Sequence, residues 1–542
     1  MERAASSDPP HRRAGRRAFY RPQDAPVDYD SQLGDPGDFP HTRGTHPPRP
    51  KTERDGGGGA ILRELSGEGS AHDSNAQFRY LLEHGATGLD VIGDGPTVLY
   101  LDPDHPHARH AVGNTGVSLC RAEDYRALYD GVPLDRVSIS HSLPSGFAIA
   151  GIYLAARSLG HDPGVVRGST ILAPLYGEDT GYGGNLPLEL HMRLATDSME
   201  FASERMPRFH PFVEDTYFIS DGSVDIVDEM ALGFIEIREV TRRLVERGVE
   251  VDRFAPRIAL LVNCGMDFFG EAAKIRAARR YYARMMREDF GAVDPRSLAI
   301  NVAAHTSGAT MTRPQLVNNV IRGTSQTLAL YMAGVRAMEI SAFDEPIRTP
   351  SKEAHIVGLR TQQIVQLETG VADVADPLGG SYYVEALTDE IEQSIAARVS
   401  EIEAMGTIPD LHGQGYFRSL FTEAMIDRSS EVDDGSRAVV GVNCHQVDEA
   451  QDTLLRDIAE ARIEPAYELA TEVAAWKRGR DLQPLGRELA AVEAVGRDTG
   501  ANVIPAIIGG FEAGATMGEL AGVLREAYNH PFDPLRGSER PA

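Results

Sequence analysis

Between about residues 60 and 405, short β-rich runs alternate with longer segments whose apolar residues recur every three or four positions. That alternation constrains the fold more than any other feature of the chain. The β-rich runs are GLDVIG (88–93), VSISHS (137–142), TILAPLY (170–176), DTYFIS (215–220), RIALLVN (257–263), LAINVAAHT (298–306), AMEISAF (337–343) and VADVADP (371–377). Between them lie segments such as GEAAKIRAARRYYARMMRED, where Ala272, Ile275, Ala278, Tyr282 and Met285 keep a helical period. Eight strands alternating with helices predict an α/β chain built as a (β/α)8 TIM barrel. A doubly wound open sheet satisfies the alternation almost as well.

The flanks read differently. Residues 1–55 are rich in Pro, Arg, Asp and Gly and close on a DGGGG hinge, so they are expected to form an extended N-terminal arm, either disordered in isolation or a strap that becomes ordered against a partner. Residues 56–405 would form the barrel. Residues 406–542 lack strand alternation and are expected to form a mainly helical C-terminal subdomain. The 542 residues exceed an ordinary domain, and 42% hydrophobic content suffices for a proper core.

A formal net charge of −26 sets a field that repels nucleic acid, although local Arg and Lys clusters can still hold a phosphorylated small molecule. Three cysteines without a CxxC pair argue against a disulfide framework or structural zinc and for a reducing, cytoplasmic setting. The basic, polar start of the chain does not read as a signal peptide, and no run approaches a membrane span.

In a barrel, chemistry gathers at the C-terminal ends of the strands. Those ends offer Asp90, Asp94, His141, Ser142, Tyr176, Glu178, Phe218, Asp221, Asn263, His305, Thr306, Asp344, Glu345 and Asp376. HExxH, GxSxG, GxGxxG and GxxxxGK[ST] are all missing, so a metalloprotease, a hydrolase elbow and the usual nucleotide loops are not encoded, and no metal ligands are expected. An isolated histidine is more often a hydrogen-bonded structural residue than a catalytic one. Residue patterns alone therefore stop at a large α/β enzyme.

Longer stretches carry a resemblance. LGDPGDFPHTRG (33–44), DSNAQFRYLLEHGATGL (73–89), GVPLDRVSIS (131–140), RIALLVNCGMDFFGEAAKIRAAR (257–279), TSGATMTRPQLVNNVIRGT (306–324) and DPLGGSYYVEALT (376–388) occur in consistent order. GATMGELAGVLREAY (514–528) follows them. Together they resemble the large subunits of coenzyme B12-dependent acyl-CoA mutases, the methylmalonyl-CoA, isobutyryl-CoA and 2-hydroxyisobutyryl-CoA mutase family. The resemblance implies a barrel threaded by coenzyme A, with the acyl group at the C-terminal face. Small and hydroxyl residues such as Ser138, Ser140, Ser142, Ala303, Ala304 and Thr306 would then line the channel. It implies adenosylcobalamin as cofactor and radical rearrangement as chemistry. The family's DxHxxG cobalamin motif is missing, so this chain is expected to carry no cobalamin-binding domain and to rely on a separate small subunit. A homodimer of large subunits within a heterotetramer, an arm wrapping the partner and a G-protein chaperone are further expectations of the same kind.

Carried over position by position, the family histidine of GYHxxEAG falls on Phe218, followed by Asp221. The tyrosine of RQYAGF falls on Leu65 in RELSGE, with Arg63 kept. The carboxylate-binding arginine of ARGTY falls on Tyr182, and the glutamine of SQTSG on His305. The catalytic set implied is Phe218, Asp221, His141, His305 and Leu65, with His141 or His305 replacing the donor lost at Phe218. The cofactor set is Glu345, Asp344, Ser341 and Asp94, with Glu345 on the adenosyl ribose. The substrate set is Arg63, Arg257 (a thioester or CoA contact), Tyr182, Leu172, Ser140 and Ser142. Without the tyrosine and arginine, a substrate carboxylate would be buried unpaired. A non-dicarboxylic acyl group, branched or hydroxylated, is expected. A catalytically silent paralogue that binds CoA esters or tethers the cobalamin subunit fits the same departures.

Overall fold

The computed structural model describes residue 29 and residues 33–44, 60–172, 174–177, 184–448, 451–460 and 463–541. They contain nine strands: β1 Ile61–Arg63, β2 Leu65–Ser66, β3 Gly88–Ile92, β4 Ser138–Ser142, β5 Arg167–Leu172, β6 Phe209–Asp215, β7 Ile258–Cys264, β8 Asn301–Thr306 and β9 Ala337–Glu339. All pair in parallel, in the order β1-β9-β8-β7-β6-β5-β4-β3-β2. β1 lies on β9, β2 lies on β3, and only Glu64 separates β1 from β2. The two are one interrupted strand through which an eight-stranded α/β barrel closes. The interruption has a cause. Gln362 Nε2 donates to Glu64 Oε1 at 2.7 Å and to the Arg63 carbonyl at 2.8 Å, turning Glu64 toward helix Lys352–Glu368. Gly358 leaves the room, since a Cβ there would sit 2.6 Å from Glu64 Oε2.

Three expectations are corrected here. DTYFIS is not a strand: β6 is the preceding FHPFVED, and Thr216–Asp221 is a short helix. The Asp215 carboxylate accepts from the Phe218 N–H, which caps that helix and ends the strand. VADVADP is not a strand either, because Gly370 takes a left-handed conformation and starts a 3-10 turn over Val371–Asp373. The missing strand is β1–β2, whose two halves are too short to show a period-2 pattern.

Strand parity divides the barrel. Val262, Ala304 and Met338 point outward into an apolar layer with Phe234, Ile275 and Tyr282. Leu89, Val91 and Ile139 do the same toward Phe147 and Ile149 of helix Ser145–Ser158. The C-terminal helices join that second layer: Leu485, Phe511 and Leu520 pack in the same cluster. Phe417 and Phe421 of helix Tyr416–Asp433 meet Tyr176 edge-on, at 5.2 and 6.1 Å between ring centroids.

Residues 33–44 rest on this chain's own outer helices. Arg43 bonds Asp376, a carboxylate also held by buried Arg276, and Arg287 covers the Phe39 ring. The rest of the expected arm, apart from Tyr29, lies outside the described residues, as do the DGGGG hinge, Glu178 and Tyr182.

Candidate active site

Register fixes what faces the lumen. Arg63 pairs with Glu339, Glu339 with His305, and His305 with Asn263. Leu65 pairs with Asp90, Asp90 with Ser140, and Ser140 with Ser169. Two residues below His305 and Asn263, Ala303 and Leu261 join Ile171, Val213, Ala259, Tyr217 and Phe218 in an apolar cluster inside the barrel. One arc of the lumen is therefore polar and the other apolar.

Barrel interiors are normally filled by layers of branched side chains. Here Ser138, Ser169, His210, Asn301 and Ala303 all keep partial exposure. The serines form a small hydroxyl wall, with Ser169 Oγ donating to Ser140 Oγ at 3.2 Å. Ser138, Ser140, Ser142 and Ala303 thus occupy the positions expected of channel residues. Ala304 and Thr306 do not. Ala304 lies in the outer layer, and Thr306 Oγ1 accepts from the Ser341 N–H at 2.7 Å.

Parity also settles the two histidines. His141, between Ser140 and Ser142, points outward and is fully buried, with Tyr129 Oη on one ring nitrogen and the Ser169 carbonyl 3.0 Å from the other. Burial holds its pKa down at about 4. The structure does not bring His141 to the other site residues. His305 points inward. Its Nδ1 lies 2.6 Å from the Thr306 carbonyl, and Nε2 is buried without a partner. The Tyr217 ring lies against it, 4.5 Å between centroids.

Tyr217, absent from the sequence-derived set, is the residue that organises the mouth. Reading 215–220 as a strand hid it; the Asp215 cap was the available signal. Its hydroxyl bonds Asp221, and burial together with that carboxylate raises its pKa. A Cβ on Gly308 would lie 3.0 Å from both Tyr217 Oη and Glu345 Oε1, and 3.6 Å from Asp221 Oδ2, so three oxygens converge there. Asp221 Oδ1 accepts from Asn263 Nδ2 at 3.0 Å and from Ser307 Oγ at 3.1 Å. Beneath them Lys274 is fully buried. It reaches Glu229 at 2.7 Å, Glu271 at 2.6 Å and the Asn263 carbonyl at 2.7 Å, bracing the ends of β6 and β7.

Phe218 sits half-buried on the short helix, its ring 5.3 Å from that of Tyr217. Leu65 and Ile92, both inward, open into a cavity of about 730 Å3 at the C-terminal mouth, shared with Asn114, Glu345, Arg348 and Ile463. Glu345 Oε2 accepts from the Ala342 N–H at 3.0 Å, and burial raises the carboxyl's pKa. Ser341 Oγ donates to the Thr306 carbonyl at 2.8 Å and stands 3.4 Å from His305 Nδ1.

Two acids of the expected cofactor set hold backbone instead. Asp94, with a pKa raised to about 6 by burial, accepts from the Thr97 and Gly113 N–H groups at 2.8 and 2.7 Å. Asp344 Oδ2 accepts from the Ser351 N–H at 3.1 Å. Of the substrate set, Arg63 is buried and ion-paired to Glu339 at 2.8 Å. Arg257 precedes β7 and so lies at the opposite, N-terminal rim of the barrel. Its carbonyl receives His210 Nδ1 at 3.1 Å, and burial beside Arg296 lowers its pKa. Leu172 ends β5. Among the described residues no group of three or more His, Cys, Asp or Glu is placed to hold a metal, and no helix is long and apolar enough to cross a membrane.

A parallel barrel with small hydroxyl residues facing its lumen and a cavity at its C-terminal mouth has the architecture of a barrel that binds a small molecule at that face. The family model for methylmalonyl-CoA mutase matches residues 13–530. The 2-hydroxyisobutanoyl-CoA mutase large subunit of Aquincola tertiaricarbonis is 32% identical over 502 residues, covering 91% of this chain and 87% of that one. Methylmalonyl-CoA mutase of Rhizobium meliloti (strain 1021) is 32% identical over 497 residues, with 91% and 68% covered. The mitochondrial enzyme of Homo sapiens is 28% identical over 504 residues, with 91% and 65% covered. The chain belongs to the methylmalonyl-CoA mutase family of acyl-CoA mutases, which are isomerases.

Proposed function

We propose that this chain is the substrate-binding large subunit of an adenosylcobalamin-dependent mutase that rearranges a non-dicarboxylic acyl-CoA. The observation that carries this reading is the apolar cluster of Phe218, Ile171 and Leu261 inside the barrel, with Leu65 and Ile92 on the wall of the mouth cavity. Among described residues near it, Arg63 is already paired to Glu339, and Arg348 gives its Nε to the Thr349 carbonyl. A substrate carboxylate buried against the apolar cluster would have to break the Arg63–Glu339 pair or stay unpaired, at about 3–5 kcal/mol.

The residues present fit the cofactor's nucleoside. Glu345 and Asp221 offer carboxylate oxygens suited to ribose hydroxyls beside the mouth cavity. Bound adenosylcobalamin would supply the radical chemistry. The chain's own part is to grip, orient and keep water away. The serine wall gives passage to the pantetheine, and Arg257 at the far rim suits the phosphate end of coenzyme A rather than the thioester. The Lys274 network holds Asn263 and, through it, Asp221 in place. A relative named as a large subunit supports a small cobalamin-binding partner.

The test reconstitutes the full chain with a cobalamin-binding small subunit and adenosylcobalamin and screens acyl-CoAs. Turnover of a monocarboxylic acyl-CoA with none of methylmalonyl-CoA is expected. Tight binding of every thioester without turnover would instead favour a silent, CoA-ester-binding paralogue.

A further inference from the structure

The hydrogen bond at His305 Nδ1 carries information about what the acyl pocket selects. Its partner, the Thr306 carbonyl at 2.6 Å, can only accept, so Nδ1 must carry the proton. Ser341 does not compete for that role, because its hydroxyl donates to the same carbonyl at 2.8 Å. In the neutral ring, Nε2 is then left as an acceptor. It is buried and has no protein partner, and the residue is only 4% exposed.

A buried polar atom without a partner is destabilising, so a ligand that supplies a donor is favoured there over one that does not. The neighbours do not satisfy it. Tyr217 lays its ring against the imidazole at a tilt, and its hydroxyl is committed to Asp221. Asn263, the register neighbour on β7, gives its amide hydrogens to Ser220, Asp221 and Ser307. Glu339, the neighbour on β9, faces Arg63.

The geometry points to His305 as the specificity-determining acceptor for a hydroxyl on the acyl group of the substrate. This assignment rests on the proposed reading of the lumen as an acyl-CoA channel. It also reverses the role expected from the sequence. With its Nδ1 proton given to the Thr306 carbonyl, the imidazole keeps Nε2 as its acceptor and has no second N–H for a thioester carbonyl, and His141 faces away, so neither replaces a donor at position 218. One side of the pocket accepts hydrocarbon: Ile171, Leu261 and Phe218. The other presents His305 Nε2 as a fixed acceptor, beside the Asp90 and Glu345 carboxyls. A branched acyl group bearing one hydroxyl satisfies both.

The experiment is calorimetric titration of the full chain with 2-hydroxyisobutanoyl-CoA and with isobutanoyl-CoA, which differ by one oxygen. The wild-type chain is expected to prefer the hydroxylated thioester by about tenfold or more. His305→Phe should bring the ratio of the two affinities to about one, and His305→Gln, which keeps an acceptor, should restore part of the preference. Equal binding of the two thioesters by the wild type, or a preference that survives His305→Phe, overturns the assignment while leaving the acyl-CoA reading intact. Failure of both thioesters to bind sinks that reading itself. A parallel titration with adenosine separates the other source of hydroxyls. If His305→Phe weakens adenosine binding and leaves the thioester preference untouched, the acceptor serves a ribose, and the acyl assignment is wrong. Should the variants misfold by circular dichroism, the wild-type pair alone decides.

Discussion

Tyr217, on the short helix after β6, and His305, on β8, meet across the end of β7 inside the mouth of the barrel, their ring centroids 4.5 Å apart and their planes inclined by 48°. The contact joins the short helix after β6 to β8 and sets the imidazole's direction from one side, while the Thr306 carbonyl sets it from the other. Tyr217→Phe removes the bond to Asp221 but keeps the ring; Tyr217→Ala removes both. Turnover in the reconstituted enzyme should fall about fivefold in the first variant and about thirtyfold or more in the second, losses of about 1 and 2 kcal/mol. Equal activity of Tyr217→Ala and wild type would show that the stack does not position His305.

Phe218→His tests the apolar wall. The family donor would return, but into a cluster of Ile171, Val213 and Leu261, at a cost of about 1–3 kcal/mol for a polar ring. Activity on the native substrate should drop by about one to two decades. Methylmalonyl-CoA should remain unreactive with wild type and variant alike. Robust methylmalonyl-CoA turnover by the unmodified chain would mean that its carboxylate has a partner in the pocket, contrary to the substrate reading.

Lys274 is buried among Glu229, Glu271 and the Asn263 carbonyl. Lys274→Met leaves two carboxylates facing each other without a cation. Urea unfolding should show a loss of about 3–5 kcal/mol. The double change Lys274→Met with Glu229→Gln should recover part of it. A single variant as stable as wild type would mean that the network braces nothing.

Asp215 titrates far from its ordinary range. Burial, with Asp221 and Asp90 adding to it, pushes its pKa from 3.8 to about 8. The folded chain therefore binds this proton more tightly than the unfolded chain. The resulting stability is complete below about pH 4 and is lost as pH rises to about 8. Asp215→Asn keeps an oxygen for the Phe218 N–H and removes the titration. Between pH 6 and 8 the wild-type unfolding midpoint should fall more steeply than that of the variant. Parallel slopes would count against a protonated Asp215.

Deleting residues 1–50 removes Arg43 from Asp376, yet Arg276 still holds that carboxylate, so the barrel should stay folded by circular dichroism. Association with the small subunit, measured by calorimetry, should weaken. Unchanged association would confine the role of residues 33–44 to this chain's own helices.

Much of the barrel was readable in advance, because the short β-rich runs of β3, β4, β7 and β8 alternate with segments of helical period. Residues 61–66 were not, since a strand split by Glu64 has neither half long enough to carry a period. VADVADP misled for the opposite reason, its alternation being cut short by a left-handed Gly370 that sequence periodicity does not register. The site divides the same way. Once Ser138, Ser140 and Ser142 are placed in the lumen, period-2 alternation already turns His141 outward; that inference was available and was not drawn. The tautomer of His305 was out of reach, because it depends on the direction of one carbonyl.

The interrupted strand has a consequence for how the chain is made. Ile61–Arg63 must find Ala337–Glu339, which leaves the ribosome roughly 280 residues later. At about 5–20 residues per second the wait is about 14–55 s, during which both margins of the growing sheet lack their final neighbour. An open parallel edge held that long invites pairing with another nascent chain. Translation pauses before residue 337 should therefore raise aggregation, whereas pauses after Glu339 should not, because by then the seam can shut.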